Sequence, residues 1–416
     1  MHGWVDVALM QSCLTDEGVK PFVRQYGMVI VDECHHVSAV NFEQILKSIP
    51  ARYVYGLTAT PIRKDGHQPI IFMQCGPIRY SAEAKSQLAK QTFKRWLIPR
   101  FTAYRDLSDS SSTYAQIVQS LATDEARNAL IVEDVCKTLA VGRSQIVLTT
   151  LTVEQLSQLL STCCKNIITL VGSESMKDKR QKMERLAELS PKEPLVVVAT
   201  GHYVGEGFDY PRLDTLFLVS PVSWKGIIAQ YAGRLHREYH GKTDVRIYDY
   251  IAIRLPLCER MYQRRLKGYA AIGYQLLENE PSVTEQHPQS LFSGNNYQAS
   301  LVEHISQAKH SVLIAAMKSG LKKQSGLWRA LKEAICRGVQ VVVFVKHRNE
   351  QVEWLQREGF AVYVSESLTL QLVVIDKKDI WYGSINFIGY ATEEDFAVRF
   401  ADKQLVAEMI DMLYGE

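Results

Sequence analysis

Short, wholly apolar runs separated by helix-length amphipathic stretches set the rhythm of this chain. Near the N-terminus the pattern predicts strands over Val5–Met10, Met28–Val31 and Tyr53–Leu57. Phe22–Tyr26 reads as the end of a helix and Phe42–Ile49 as a helix. Uniformly apolar strands with helices between them point to a parallel sheet covered on both faces. The same rhythm returns from residue 114. Strands are predicted over Gln145–Thr149, Ile167–Val171, Leu195–Ala199, Thr215–Val219 and Asp244–Tyr250. Helices are predicted over Asp124–Leu139, Thr152–Thr162, Met176–Leu189 and Ile227–Arg237. Leu257–Leu277 reads as a basic helix, and the stretch with Pro281 and Pro288 as a linker. A third alternating unit follows. Its predicted helices are Leu301–Ala308, Leu327–Arg337, Val352–Glu358 and Asp402–Tyr414, and its strands Ser311–Ala316, Val339–Val345, Val362–Val364, Gln371–Ile375 and Ile380–Tyr382.

Composition changes this picture little. At 416 residues the chain is long enough for several domains. With 48 basic and 45 acidic side chains the formal charge is only +3, so a nucleic-acid surface has to come from local patches. Arg79–Arg105, with seven basic residues interspersed with aromatics, and Arg254–Lys267, with Arg260, Arg264, Arg265 and Lys267, are the two best stretches. An amphipathic linker helix packed on a lobe explains the second equally well. The eight cysteines form no C-x-x-C pair, which fits a reducing, cytoplasmic setting. The first residues lack the basic flank and apolar stretch of a signal peptide, and no run of eighteen apolar residues exists, so no membrane partner is expected.

The candidate chemistry sits at strand ends. Asp32 and Glu33 follow the Met28–Val31 run, where an open α/β sheet presents its ligand-binding side chains. One acid for a metal and one group to position water is what a magnesium–phosphate site needs. Read alone, the pair is equally a polar strand cap. Leu57–Thr58–Ala59–Thr60–Pro61 ends another strand in hydroxyl residues. Ala199–Thr200 is followed by Gly205–Glu206–Gly207–Phe208–Asp209. Gln230–Tyr231–Ala232–Gly233–Arg234–Leu235–His236–Arg237 places two arginines three apart, on one face if helical.

Taken in order, these stretches resemble the DExH-box core of superfamily 2 helicases and translocases, over roughly the first 255 residues. The resemblance implies an α/β fold with two RecA-like parallel-sheet lobes, ATP at their cleft and nucleic acid, DNA before RNA, across both. It implies that Asp32 and Glu33 serve magnesium and water activation, and that His35, Gly207, Asp209 and Gln230 approach the nucleotide. Thr58, Thr60 and Thr200 would couple nucleotide to nucleic acid, and Arg234 and Arg237 would act as finger and sensor. The family's G-x-x-x-x-G-K-[ST] loop is missing ahead of Asp32. Gly241–Lys242–Thr243 is a decoy, since position 236 is His and the segment leads into a strand. The expectation is therefore a fragment whose first lobe is incomplete, ATPase-deficient alone and holding no cofactor tightly, while the longer protein uses ATP and Mg²⁺. The stretch GLTATPIRKDGHQPIIFMQCGPI, Gly56 to Ile78, is similar to helicases joined to primase domains in bacterial conflict systems.

The third unit resembles the phospholipase D-like phosphodiesterase fold. Val373–Val374–Ile375–Asp376 and Gly383–Ser384–Ile385–Asn386 match the family's H-x-K-x-x-x-x-D and G-S-x-N pattern, except that Thr369 stands at the histidine position and Gln371 at the lysine position. The degenerate site would comprise Thr369, Gln371, Asp376, Ser384 and Asn386. Scaffolding, DNA binding or self-association is expected of it, with a nuclease as a further alternative. The domain order read from the sequence is 1–98 partial first lobe, 99–113 interlobe linker, 114–255 second lobe, 256–289 basic helix and linker, and 290–416 degenerate phospholipase D-like domain.

Overall fold

The computed structural model describes residues 4–16, 18–34, 40–58, 68–80, 93–102, 104, 113–150, 153–172, 174–201, 208–222, 225–277, 291–294, 296–392, 395–401 and 403–414. The chain forms two compact units, Met1–Glu83 and Ala84–Glu416.

In the first unit, β1 (Leu14–Thr15) and β2 (Gly18–Val19) make a small antiparallel pair, and β3 (Met28–Val31) lies parallel to β4 (Tyr53–Gly56). Helices α1 (Val40–Lys47) and α2 (Gln68–Cys75) accompany them, and Val31, Cys34, Leu46 and Ile71 form a small core. Two expectations fail here. Val5–Met10 is not a strand; Met10–Cys13 and Pro21–Gln25 are 3₁₀ turns. Nor are both strand faces covered. Met28, Ile30, Tyr53 and Tyr55 are exposed, because the helices lie against the Val29 and Val31 side only.

The second unit begins with β5 (Lys94–Thr102), a strand where the sequence reading placed the end of the first lobe and a linker. It pairs in parallel with β10 (Asp244–Ala252) over nine residues. Between them in sequence come α3 (Tyr114–Thr123), α4 (Glu125–Ala140), β6 (Ser144–Thr149), α5 (Val153–Leu160), β7 (Ile167–Leu170), α6 (Met176–Glu188), β8 (Leu195–Thr200), β9 (Thr215–Leu218) and α7 (Lys225–Leu235). After β10 come α8 (Pro256–Ala271) and β11 (Gln275–Leu276). The seven strands run in the order β11-β5-β10-β9-β6-β8-β7, every pairing parallel. This is an open, wholly parallel α/β sheet. β6 and β8 are buried almost throughout because helices cover both faces. The basic segment at 94–102 escaped recognition as a strand because its polar side chains are spent internally: Arg100 pairs with the buried Asp134, which also accepts from Tyr250 Oη at 2.8 Å. β11 likewise extends the sheet where the end of the basic helix Leu257–Leu277 was expected; that helix stops at Ala271.

The C-terminal part has the seven-stranded order β12-β18-β17-β16-β13-β14-β15. The strands are β12 (Leu291–Ser293), β13 (Ser311–Ala316), β14 (Gln340–Val345), β15 (Ala361–Val364), β16 (Leu372–Ile375), β17 (Asp379–Gly383) and β18 (Phe396–Ala401). β13, β14 and β15 are parallel and the remaining pairings antiparallel. Side chains alternate between two layers. Val312, Ile314 and Val343 meet α9 (Tyr297–Ser306), α10 (Gly326–Cys336) and α11 (Glu350–Arg357). Leu313, Phe344, Val374 and Tyr382 share a cluster with α12 (Lys403–Tyr414) that continues into the second lobe.

That continuity runs through α8. Tyr262 of α8 stacks parallel to Tyr382 of β17 at 6.2 Å, and Phe101 of β5 stands edge-on to Tyr262 at 5.7 Å and to Tyr382 at 6.3 Å. Tyr382 Oη donates to Glu259 at 2.7 Å, a carboxyl that burial pushes up from its ordinary value. Lys267 reaches Asp395 at 3.8 Å. Inside the lobe, Arg265 of α8 lies within the core. It donates from Nε and Nη2 to Asp249 of β10 at 2.8 and 2.9 Å and from Nη1 to the Val222 carbonyl at 2.5 Å, while Tyr269 Oη donates to Asp249 at 2.8 Å. Asp249→Ala would leave a buried guanidinium without its counter-charge. The expected cost is about 3–5 kcal/mol, read as a lower midpoint in urea denaturation followed by circular dichroism. A shift within experimental error would show the pair to be dispensable.

Candidate functional site

In the first unit the acid pair sits where the sequence placed it, directly after β3. Glu33 adopts a left-handed conformation, φ 49°, and its amide donates to Asp32 Oδ1 at 3.0 Å. Both side chains are exposed. The Thr58 stretch is brought alongside by backbone bonds: Leu57 N donates to Val31 O at 2.8 Å and Cys34 N to Leu57 O at 2.9 Å. Gly56 permits the approach, since a Cβ there would lie 2.8 Å from Cys34 Sγ. Cys34 and Cys75 pack on the glycine and hydrogen-bond to each other. Burial raises both thiols, Cys75 to about 11. His35 and Thr60 lie outside the described residues.

In the second unit a separate cluster forms at the carboxyl end of the sheet. Thr200 ends β8, and a Cβ on the next residue, Gly201, would collide with the hydroxyl of Tyr231 on α7. Tyr231 is buried, which pushes its phenol up to about 12. Gln230 and Arg234 flank it, half-buried. Arg237 does not share their helix face as the spacing predicted. α7 ends at Leu235, and Arg237 lies in the following turn, where its Nε donates to Asp209 at 3.2 Å. Gly207 lies outside the described residues.

At the end of the helix stands Lys242, the lysine of the decoy motif. Its ammonium donates to the carbonyls of Pro211, Leu213, Leu235 and Arg237 at 2.6, 2.8, 3.0 and 2.8 Å. Four acceptors take up a lysine that has only three protons to give, so none is left for a phosphate. Its role is to tie the end of α7 to the loop after Asp209. Sequence reasoning dismissed the motif and missed this task; carbonyl acceptors carry no side-chain signature. Beside it, His236 is held neutral, its imidazole pushed down to about 4 by burial and by the neighbouring Arg95 and Lys242, with Nε2 3.1 Å from Tyr274 Oη.

Of the nucleic-acid candidates on α8, Arg260 and Arg264 are exposed one turn apart. Arg265 is not a surface residue, because helix periodicity turns it onto Asp249. Lys267 is engaged with Asp395.

In the C-terminal part the predicted degenerate site is not brought together: Gln371, Ser384 and Asn386 lie at the open end of the β16–β17 hairpin, near the end of β13, whereas Asp376 lies in the hairpin turn beside the start of β13. Gln371 Nε2 donates to Ser384 O at 3.0 Å. Ser384 Oγ donates to Asp395 at 3.0 Å, and Asn386 Nδ2 to Lys318 O at 2.9 Å. Asp376 accepts from the amides of Lys309, His310 and Ser311 at 2.9, 2.7 and 3.0 Å. Burial raises it, but these three bonds prevail and hold the carboxyl below its ordinary value. Gly383 is required by β18, because a Cβ would strike the Phe396 carbonyl. Thr369 is half-buried. Among the described residues no group of three or more His, Cys, Asp or Glu is arranged to hold a metal, and no helix is long and apolar enough to cross a membrane.

Comparison with known proteins fits this arrangement. The family "Type III restriction enzyme, res subunit" matches residues 7–63, which include both the acid pair and Thr58. "Putative helicase 161L" of Invertebrate iridescent virus 6 is 27% identical over 61% of this chain and 57% of its own length. "Probable helicase D10" of Escherichia phage T5 is 27% identical over 54% of this chain and 49% of its own. The chain is similar to superfamily 2 helicases. It spans about half the length of the curated relatives it matches. NucT from Helicobacter pylori overlaps 30% of this chain and 92% of its own at 19% identity, with a TM-score of 0.25, an overlap that by itself decides nothing.

The His236 environment gives a pH dependence with a definite sign. The folded imidazole titrates near 4 and the unfolded one near its ordinary 6.5, so the unfolded chain takes up the proton first. Stability from this site is complete above about pH 6.5 and is lost as pH falls towards 4. The thermal midpoint of the wild type should fall more steeply across that window than that of His236→Gln. Parallel curves would show that the imidazole is not held neutral.

Proposed function

We propose that this chain is part of an ATP-dependent helicase or translocase acting on nucleic acid, DNA first, and that its C-terminal domain is a phospholipase D-like module that no longer cuts. The observation that carries the reading is the assembly at the end of the second sheet. Gly201, next to Thr200, abuts Tyr231 of α7, Arg234 lies on the same helix, and Arg237 just beyond its end pairs with Asp209, so three stretches of sequence gather along α7. A sheet end with two arginines suits a ligand that develops negative charge on its phosphates. In this reading Asp32 and Glu33 serve Mg²⁺ and the attacking water, His35, Gly207, Asp209 and Gln230 approach the nucleotide, and Thr58, Thr60 and Thr200 couple it to nucleic acid.

The fit to ATP is partial. The acids are exposed at a strand end, as a metal–water site requires, but the 416 residues contain no G-x-x-x-x-G-K-[ST] loop, and Lys242 is committed to carbonyls. The bare apolar face of β3 and β4 is the kind of surface a further α/β layer covers. The primase-associated identity suggested by Gly56–Ile78 remains part of this proposal. In the C-terminal domain, Thr369 and Gln371 supply neither nucleophile nor cation, and Asp376 is saturated by amides, which supports binding over cleavage. Self-association through that domain would have to avoid the face that α8 covers.

The 416-residue chain alone should release no more phosphate from ATP with single-stranded DNA than without it, and Asp32→Ala should change nothing. A robust DNA-stimulated rate would overturn the proposed dependence on a separate phosphate loop. In a longer protein that carries such a loop, Arg234→Ala should lower DNA-stimulated turnover by about a thousandfold or more while leaving most DNA binding. Retained turnover would remove Arg234 from the proposed machinery.

A further inference from the structure

A second basic surface lies on the C-terminal domain, away from α8 and unused by the motor reading. β13 and β14 are parallel neighbours, with Ala316 opposite Val345, so the loops that follow them leave the sheet side by side. The first loop carries Lys318, Lys322 and Lys323 and no acid. The second carries Lys346 and Arg348, followed by the single acid Glu350. Five cations against one carboxylate exceed the +3 surplus of the whole chain. Lys318, Lys322, Lys323 and Arg348 are exposed. Among the described ion pairs, the acids nearby are spent elsewhere: Glu353 pairs with Arg357 and Glu358 with Lys332.

These loops are held in place. Ser319 and Asn349 exchange hydrogen bonds at 3.0 and 2.8 Å, Gln351 Nε2 donates to Leu321 O at 3.2 Å, and Asn386 fixes Lys318 O. Ser325 and Asn349 cap α10 and α11, so two helix N-termini face the same side. Aromatic rings are interleaved with the cations. Lys322 lies 5.0 Å from the ring centre of Tyr390, and Lys323 5.1 Å from that of Trp354. Tyr390 is 76% exposed. A cavity of about 210 Å³, lined by Gly320, Lys322, Gly389 and Tyr390, opens beside them. The two glycine segments are packed closely: a Cβ on Gly320 would lie 3.2 Å from Gly389 Cα, and a Cβ on Gly389 would strike Asn386.

We propose that these two loops, with Tyr390, form a separate grip for single-stranded nucleic acid. The fixed cations take successive phosphates, and the exposed tyrosine face takes an unpaired base. Like charges held this close, with one carboxylate among five cations, repel one another until a polyanion neutralises them. Pre-organised loops lose little freedom on binding, and a stacking ring beside cations is what a strand without base pairing can use. The grip requires neither ATP nor the acid pair, so it stands or falls separately from the motor reading, whose own test is phosphate release.

The test uses the whole chain, without nucleotide, and the fluorescence anisotropy of a labelled oligo-dT across a KCl series. The triple variant Lys322→Glu, Lys323→Glu, Arg348→Glu should weaken binding at least tenfold at low salt. It should also reduce the slope of log K against log salt by about 2, at roughly 0.7 per lost phosphate contact. All three side chains are exposed, so the thermal midpoint should hold. Tyr390→Ala, which removes no charge, should weaken oligo-dT binding at least fivefold while leaving the slope unchanged and duplex binding little affected. An unchanged affinity and slope in the triple variant overturns the proposal. So does a loss seen only in Arg260→Glu, Arg264→Glu, which would place the contact on α8. Wild-type chain that binds phosphatidylglycerol vesicles but not oligo-dT would overturn it too. Equal binding of duplex and single strand, with no effect of Tyr390→Ala, overturns the single-strand assignment.

Discussion

The buried pair Arg265–Asp249 is the constraint on which the second unit depends. A guanidinium in a protein core is tolerable only when its donors are answered. Here two go to a carboxylate on β10 and one to a carbonyl just ahead of α7. Those bonds fix α8 in rotation and along its axis. The outward side of α8 then presents Tyr262, Glu259 and Lys267 to the C-terminal sheet, and its inward side closes the loop leading to the arginine-bearing helix. One polar knot therefore positions both the proposed nucleotide-facing helix and the accessory domain. It explains why the apolar cluster of the lobe continues into Leu372, Val374 and Met409 without a break.

A second knot works on a smaller scale. Lys242 gathers carbonyls from the end of α7 and from the loop after Asp209, and this puts Arg237 within reach of Asp209. The glycine contacts do the same in apolar terms. Gly201 admits Tyr231, and Gly56 admits Cys34 and Cys75. In each case stretches far apart in sequence meet because one residue has no side chain or because one cation is satisfied by backbone.

The apolar runs were legible because the strands of a doubly covered sheet need little polar patterning. β6, β8, β13 and β14 fall within a residue or two of their predicted bounds. β5 was not legible. Its basic residues read as surface charge, and only the fold reveals that Arg100 answers Asp134. Arg265 was misread for the same reason: composition cannot distinguish a cation facing water from one facing a buried acid. The short edge strands β11 and β12 lack a pattern of their own and exist through pairing with β5 and β18. At the candidate sites, the acids, threonines and arginines were found by order and spacing. Lys242 and the loop cluster around Tyr390 were not, because their meaning lies in which loops become neighbours.

The central claim is that α8 makes the second lobe and the C-terminal domain one cooperative body. Native-state hydrogen exchange at increasing denaturant tests it most directly, by comparing amides of Ser144–Thr149 with those of Ser311–Ala316. The account predicts that both strands converge on one opening free energy with one denaturant dependence, and that Asp249→Ala lowers both together. Two separate opening energies, with only the lobe strand responding to Asp249→Ala, would contradict it.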